Sequence, residues 1–299
     1  MLSLIRRLRI KQITVTDRIL SVFEKLPGGS RLMSYAANWP ITAPLLNAML
    51  GYRRVYESLR EAQDAARPYA DGGFEHPDYG RLHLSISQAP RPSDYAALFH
   101  MRGLNFDGAR IFDVGGNVGN LFYLYDRYLN FPADCIWQVF DLPIWVEAGR
   151  NEAARCGETR LQFTAKWEDA AGADLLIASG SLHYFDPPLW EMVAGLASKP
   201  PYILVNRTPL IEGPTKATVQ DGGTHRAACI LYNRAQVIRG FEAAGYELAD
   251  SWKAWERTLK FPGKPECSAD PYSGLFLRQR GQLPRAMERK HGAAAPEET

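Results

Sequence analysis

From Ala109 onward the chain alternates short apolar runs with amphipathic stretches, and no other feature constrains its fold as strongly. "ARIFDV" precedes "NLFYLYDRYLN", and "CIWQVFD" precedes "IWVEAGRNEAARC". "LQFTA" leads through "KWEDAAGA" to "DLLIASG", and "PLWEMVAGLAS" precedes "YILVNRT". Finally "RAQVIRGFEAAG" comes before "YELADSWKAW" and "YSGLFLRQ". The short runs are rich in β-branched and aromatic residues, and the longer ones carry helical periodicity. Strands separated by helices of about 10–15 residues are joined by crossovers, which builds a mostly parallel sheet with helices on both faces. The expected class is α/β. In such a sheet, ligands bind outside the carboxyl ends of the strands where the strand order reverses.

The N-terminal part reads differently. The pattern predicts a helix over residues 3–26 and another over 41–66, with Val55, Leu59, Ala62 and Ala66 on one face. "PYADGGFEHPDYG" is a turn-rich stretch that ends the second helix, and "SQAPRPSD" marks a boundary near residue 92. Ser93 or Asp94 then caps the helix "YAALFHMRGL". From Leu32 to Tyr52 there is no charge, a length that could span a bilayer, but Asn38, Pro40, Pro44 and Asn47 oppose a spanning helix. A buried or subunit-facing helical pair is expected there, with a homodimer as one consequence. The basic start (Arg6, Arg7, Arg9, Lys11) leaves peripheral contact with the inner face of the membrane as an alternative. No apolar segment of signal-peptide type follows that start. The expected organisation is a helical cap over 1–92, an α/β domain over 93–280 and a disordered tail over 281–299.

Composition narrows the classes further. The 299 residues are 46% apolar and 23% charged, with a net charge of +2. No stripe of Lys and Arg with interleaved aromatics runs along the chain, so nucleic acid is not an expected partner. Cys135, Cys156, Cys229 and Cys267 are far apart and form no metal-ligand spacing. Free thiols in the cytoplasm, and no metal, are expected.

The turn after the first strand of the alternating region, "FDVGGNVG", is the natural ligand site. Gly115 and Gly116 let backbone turn sharply and approach a ligand closely, while Gly119 allows a helix to pack near a strand. The frame from Gly115 reads G-G-N-V-G-N and does not fit the dinucleotide pattern GxGxxG, which weakens a nicotinamide or flavin reading; a phosphate-cradling GxxxxGK[ST] is absent. Asp113 at the strand end suits a cationic or hydroxyl-rich ligand and repels a pyrophosphate. Asn117 tolerates left-handed backbone. Asp141 ends the next strand, where a carboxylate can take both hydroxyls of a ribose or cap the helix ahead of Pro143.

"FDVGGNVG", "VFDLP" and "DLLIASGSLHYFDPP" resemble the nucleotide-binding motifs of class I S-adenosylmethionine-dependent methyltransferases, over roughly residues 93–280. "GYRRVYESLREAQDAA", "SGSLHYF", "YILVNRTPL", "YNRAQVIRGFEAAGYEL" and "YSGLFLR" resemble more closely a little-characterised bacterial methyltransferase family, some members of which are linked to surface-polysaccharide loci. The resemblance implies a Rossmann-like sheet, mostly parallel with an antiparallel last strand. It implies S-adenosylmethionine as cofactor and S-adenosylhomocysteine as product. Gly115, Gly116 and Asn117 would then lie against the methionyl part, Asp141 would hold the ribose and Leu142 would pack beside adenine. Lys166, Trp167 and Glu168 would form an adenine wall, unless Trp167 is simply a core aromatic. Ser179 and Gly180 would approach the transferable methyl. Asn117 stands where the family pattern has glycine.

Methyl transfer needs acceptor and methyl brought together, and a proton removed if the acceptor is a hydroxyl. His183 is the candidate base, because imidazole titrates near neutrality. Plant-type O-methyltransferases, which the region also resembles, carry a catalytic histidine at the matching place followed by Asp, where this chain has Tyr184. The other reading of His183 is a loop brace. The stretch "NRTPLIEGPTKATVQDGGTHRAACILYNR" is expected to be a long irregular lid or acceptor wall. With Tyr184, it offers Asn206, Arg207, Glu212, Gln220 and His225 to the acceptor side, and Arg207 could equally sit in a structural ion pair. The expected function is O-methylation of a hydroxyl on a sugar or small metabolite. N- or carboxyl-methylation, an NAD-dependent oxidoreductase and a non-catalytic scaffold are the rivals.

Overall fold

The protein is described by a computed structural model covering residues 25–67, 89–221 and 226–281, with scattered positions from 12 to 23. The stretch "PYADGGFEHPDYG", most of the helix expected over 3–26, and residues 282–299 of the expected tail lie outside the described residues. Helices α1 (Gly29–Asn38) and α2 (Ala43–Leu50) come first. Gly51, at φ 70°, ends α2 in left-handed backbone, and strand β1 (Tyr52–Tyr56) follows. Ser58 then starts α3 (Leu59–Ala66). Its Oγ accepts from Glu61 N at 3.3 Å, while the Glu61 carboxylate accepts from Glu57 N at 3.2 Å. The single helix expected over 41–66 is therefore two helices with a strand between them. A glycine stop and a serine start outweigh the helical spacing that reaches back to Val55.

The uncharged stretch is not a buried helical pair in this chain. Leu32, Tyr35, Trp39, Ile41 and Leu45 are all exposed. Among the described residues, no helix is long and apolar enough to cross a membrane. Helix α4 (Pro92–Arg102) starts one residue before the expected caps, with Pro92 in its first turn. Asp94 closes that end from inside by accepting from Arg91 N at 2.8 Å.

The alternating region folds as β2 (Arg110–Val114), α5 (Asn120–Leu129), β3 (Ile136–Phe140), α6 (Pro143–Cys156), β4 (Leu161–Thr164), β5 (Leu175–Ser179), α7 (Leu189–Ala194) and β6 (Tyr202–Thr208). After β7 (Lys216–Asp221) and β8 (Arg226–Leu231) come α8 (Arg234–Ala243), β9 (Tyr246–Ala254) and β10 (Tyr272–Gln279). The main sheet runs β4-β3-β2-β5-β6-β10-β9. Its first five strands are parallel, and β10 is antiparallel to both β6 and β9. This is the mostly parallel, Rossmann-like sheet with an antiparallel last strand that was expected from the sequence. Consecutive residues point to opposite layers: Phe112, Leu176 and Ile203 join one apolar cluster, while Ile111, Leu175 and Leu204 join the other. Burial on both faces explains why these strands read as unbroken apolar runs. The order reverses at β2, which has β3 on one side and β5 on the other.

The insert after β6 is not irregular. β7 and β8 form an antiparallel hairpin, and β1 pairs with β7 to complete a three-stranded sheet. Ala62 and Ala66 of α3 pack on Ala217 and Val219 of β7. The N-terminal segment and a late insert thus build one small layer together.

Candidate functional site

A cavity of about 740 Å³ opens over the carboxyl ends of β2, β3, β5 and β6. Residues of β1, α3, β7 and β8 (Tyr52, Gln63, Gln220, Ala227) line its other side. Its floor is the turn after β2, held by Gly115 N donating to Phe140 O at 2.8 Å and by Ser181 Oγ donating to Val114 O at 2.5 Å. Gly115 has φ 72°, and a Cβ there would lie 2.6 Å from Ser181 Cβ. A Cβ on Gly116 would lie 2.4 Å from Asp113 Oδ2. Both glycines are therefore required sterically, and both line the cavity.

Asp113 is 1% exposed and its Oδ2 accepts from Trp137 Nε1 at 3.1 Å. Burial pushes its carboxyl up to about 7; the indole bond and Arg207 oppose the shift, and Asp141 adds to it. Asn117 occupies left-handed backbone at φ 55°. Its N–H donates to Asp141 Oδ2 at 2.7 Å, and Leu142 N donates to Asp141 Oδ1 at 2.7 Å. Burial raises the Asp141 carboxyl above its ordinary value, against the pull of those two bonds. The Asn117 side-chain Oδ1 is buried and has no partner. Asp141 and Leu142 both line the cavity.

The loop after β4 behaves otherwise. Trp167 lies in a 3-10 turn, packs edge-on against Phe112 and Phe140, and donates from Nε1 to Met192 O at 3.2 Å. Ala165 lines the cavity at this point, whereas Lys166, Trp167 and Glu168 do not. At the ends of β5 and β6, Ser179 and Gly180 line it. Ser179 Oγ accepts from Arg207 at 2.7 Å. Arg207, at φ 52°, also reaches Asp94 Oδ1 at 2.5 Å, an oxygen that Tyr125 OH bonds at 2.8 Å. Arg207 borders the cavity already neutralised. Asn206 is fully buried outside the lining, donating to Ser93 O at 3.4 Å and accepting from Trp252 Nε1 at 3.0 Å.

His183 sits in the short 3-10 turn Leu182–Tyr184 and lines the cavity. It is 6% exposed, and its Nδ1 is buried without a partner. Burial, then the nearby Arg257 charge, lower its pKa to about 3. No carboxylate among the described residues orients the ring, so the imidazole is neutral. Tyr184 stacks obliquely on it at 4.1 Å, and the Tyr184 hydroxyl donates to Gln220 Oε1. Tyr184 and Gln220 both line the cavity; Glu212 does not, and His225 lies outside the described residues.

Sequence reasoning missed Arg91, Arg257, Tyr52 and Tyr272, all of which line the cavity. The hydroxyls of Tyr52 and Tyr272 bond each other across 220 positions of sequence. Arg91 stands between two prolines in a boundary loop, and Arg257 follows β9 in a stretch without a motif. Among the described residues, no group of three or more His, Cys, Asp or Glu side chains is placed to hold a metal ion.

No family model and no curated protein matches the chain. Solved structures do resemble it remotely. One is the Burkholderia thailandensis 1,6-didemethyltoxoflavin-N1-methyltransferase with bound 1,6-didemethyltoxoflavin and S-adenosylhomocysteine, at 18% identity over 73% of this chain and 87% of that one, TM-score 0.45. A second is the magnesium protoporphyrin IX methyltransferase of Synechocystis PCC 6803, at 14% identity over 74% and 94%, TM-score 0.44. A third is the mitomycin 7-O-methyltransferase MmcR, at 15% identity over 89% and 72%, TM-score 0.42.

Proposed function

We propose that this protein is an S-adenosylmethionine-dependent methyltransferase acting on a hydroxyl of a sugar or small metabolite. The observation that carries the reading is Asp141. It lies beside the switch point of the sheet, at the edge of the cavity, with each oxygen fixed by one backbone N–H and still able to accept from a ribose hydroxyl. The surrounding residues fit the cofactor: Gly115 and Gly116 form a turn with no room for a Cβ, and the buried Asn117 Oδ1 lacks a donor. The cavity also falls within the about 300–1,000 Å³ usual for small-molecule sites. When bound, S-adenosylmethionine supplies a methyl group on an already activated sulfonium. Asp113, Gly115, Gly116, Asn117, Asp141, Leu142, Ser179 and Gly180 would hold it, with residues 93–280 as the transferring unit. Tyr184, Gln220 and the small sheet would enclose the acceptor and exclude water.

In this reading the neutral His183 ring, which lines the cavity, takes the acceptor proton. Its depressed basicity favours one second reading, a nitrogen or carboxylate acceptor that needs no base. His183→Ala separates the two: turnover falls about 100-fold or more if a hydroxyl proton must be removed, and is nearly unchanged otherwise. A cytoplasmic homodimer paired through the exposed N-terminal apolar face belongs to the proposal, and sedimentation equilibrium tests it. Flotation with anionic vesicles tests membrane contact instead.

The cofactor reading is tested by calorimetric titration with S-adenosylhomocysteine. Micromolar binding is expected, weakened about 10- to 100-fold in Asp141→Ala. Binding of NADH in its place would overturn the reading in favour of an oxidoreductase. Binding of neither ligand would leave the fold as a scaffold.

A further inference from the structure

We propose that the acceptor carries an anionic group, a carboxylate or a phosphate, and that Arg91 and Arg257 bind it. The inference rests on the methyltransferase reading and names the substrate class of that same cavity. Charge is divided across the site. Asp113 and Asp141 stand at the ends of β2 and β3, where the hydroxyl-rich and cationic cofactor would lie. The arginines of the lining stand elsewhere: Arg91 before α4, Arg207 on β6, Arg226 on β8 and Arg257 after β9.

These cations are not equivalent. Arg207 is spent on Asp94 and Ser179. No carboxylate among the described residues forms an ion pair with Arg91 or Arg257. Of the nearby carboxylates, Asp94 is engaged by Arg207, Tyr125 and the backbone of Arg91; Glu256 Oε1 accepts from Ser93, while its buried Oε2 has no hydrogen-bond partner. Burial, then the charges of Arg207 and Arg257, lower Arg91 to about 10, against the opposing charges of Asp94 and Glu256. Two cations lining one concave site, neither held in an ion pair by a carboxylate among the described residues, favour a ligand that brings an anion. A planar guanidinium offers paired N–H donors to either a carboxylate or a phosphate.

The same arrangement bears on His183. Arg257 is one of the two causes that keep its ring neutral. An anion seated on Arg257 offsets that charge, the smaller of the two causes, and leaves the effect of burial in place.

The experiment is calorimetry with matched probes, each run without and with saturating S-adenosylhomocysteine. Para-hydroxybenzoate is compared with para-hydroxybenzyl alcohol for the carboxylate arm, and glycerol phosphate with glycerol for the phosphate arm. At least one anionic probe is expected to bind about tenfold or more tighter than its neutral partner, with an affinity that falls as salt is raised. Arg257→Gln and Arg91→Gln should each remove about tenfold of that binding, Arg257→Lys should restore part of it, and S-adenosylhomocysteine affinity should stay within about twofold of the wild type. Equal binding of charged and neutral probes, absence of binding by either anion, or anion binding untouched in both Gln variants would overturn the proposal. A failed cofactor reading shows instead in the S-adenosylhomocysteine titration. The wild-type comparison of charged with neutral probes stands even if a variant folds poorly.

Discussion

Asp113 and His183 face one cavity but respond to pH in opposite senses. The buried Asp113 carboxyl has its folded pKa raised to about 7, so the folded state holds its proton more tightly than the unfolded chain does. The stability this contributes is complete below the ordinary carboxyl value and is lost as pH rises through about 7. His183, lowered to about 3, contributes stability that is present above the ordinary imidazole value and is lost as pH falls toward 3. Asp113→Asn removes only the first effect. Urea midpoints at pH 5 and pH 8 should therefore show the variant gaining relative to wild type at the higher pH. The Asp94–Arg207 pair is a separate case. Asp94 is 1% exposed and the Arg207 side chain 11%, so Arg207→Met, which strands a buried carboxylate, should cost about 3–5 kcal/mol in chemical denaturation. At this scale the sequence was legible where chemistry and strand ends coincide, as at Asp113 and Asp141. It marked Asp94 only as a helix cap and was silent on Arg91 and Arg257, which meet the site through loops whose positions only tertiary packing decides.

Among the elements, the turn after β2 has the least freedom. Gly115→Ala would combine left-handed backbone with a Cβ 2.6 Å from Ser181 Cβ, and should cost about 2–4 kcal/mol in urea denaturation while abolishing S-adenosylhomocysteine binding. The small sheet tolerates more. Ala62 is fully buried against Ala217 and Val219, so Ala62→Leu should push α3 off the hairpin at a cost of about 1–3 kcal/mol. Acceptor-side binding should then weaken while S-adenosylhomocysteine affinity holds, because β2 and β3 are not part of that layer. The main-sheet strands were legible because burial on both faces leaves continuous apolar runs. β1 was not, since its Val55 falls in register with the helical face of Leu59, Ala62 and Ala66. The correcting signals are local: Gly51 before the strand, and the serine–glutamate spacing of Ser58 and Glu61 after it. The hairpin β7–β8 was hidden for a related reason. Its strands bury small residues such as Ala217 and Ala227 and cover only a thin layer, so their alternation is faint beside that of the central sheet.

For the whole molecule, the cavity joins two layers that come from distant parts of the chain, and ligand binding should register as global stability. At a hundredfold excess over its Kd, S-adenosylhomocysteine should add about 2.7 kcal/mol, which for a protein of this size corresponds to a rise in Tm of about 4 °C by calorimetry. Asp141→Ala should lose most of that rise. The pairing of β1 with β7 also dictates an order of events as the chain is made. Thr218 Oγ1 bonds the carbonyl of Arg54 across 164 positions, so β1 leaves the ribosome long before its partner exists. The strands that carry the Asp113 turn and Asp141 emerge in between and can pair at once. The β1–β7 edge of the wall over the cavity therefore assembles after the β2–β3 region and, joined across so long a stretch of chain, is the first to open. In amide hydrogen exchange, β1 and β7 should lose protection well before β2 and β5. The pocket would thus be loaded and emptied by local unfolding of its late-built wall, with no need for a hinge in the sheet beneath.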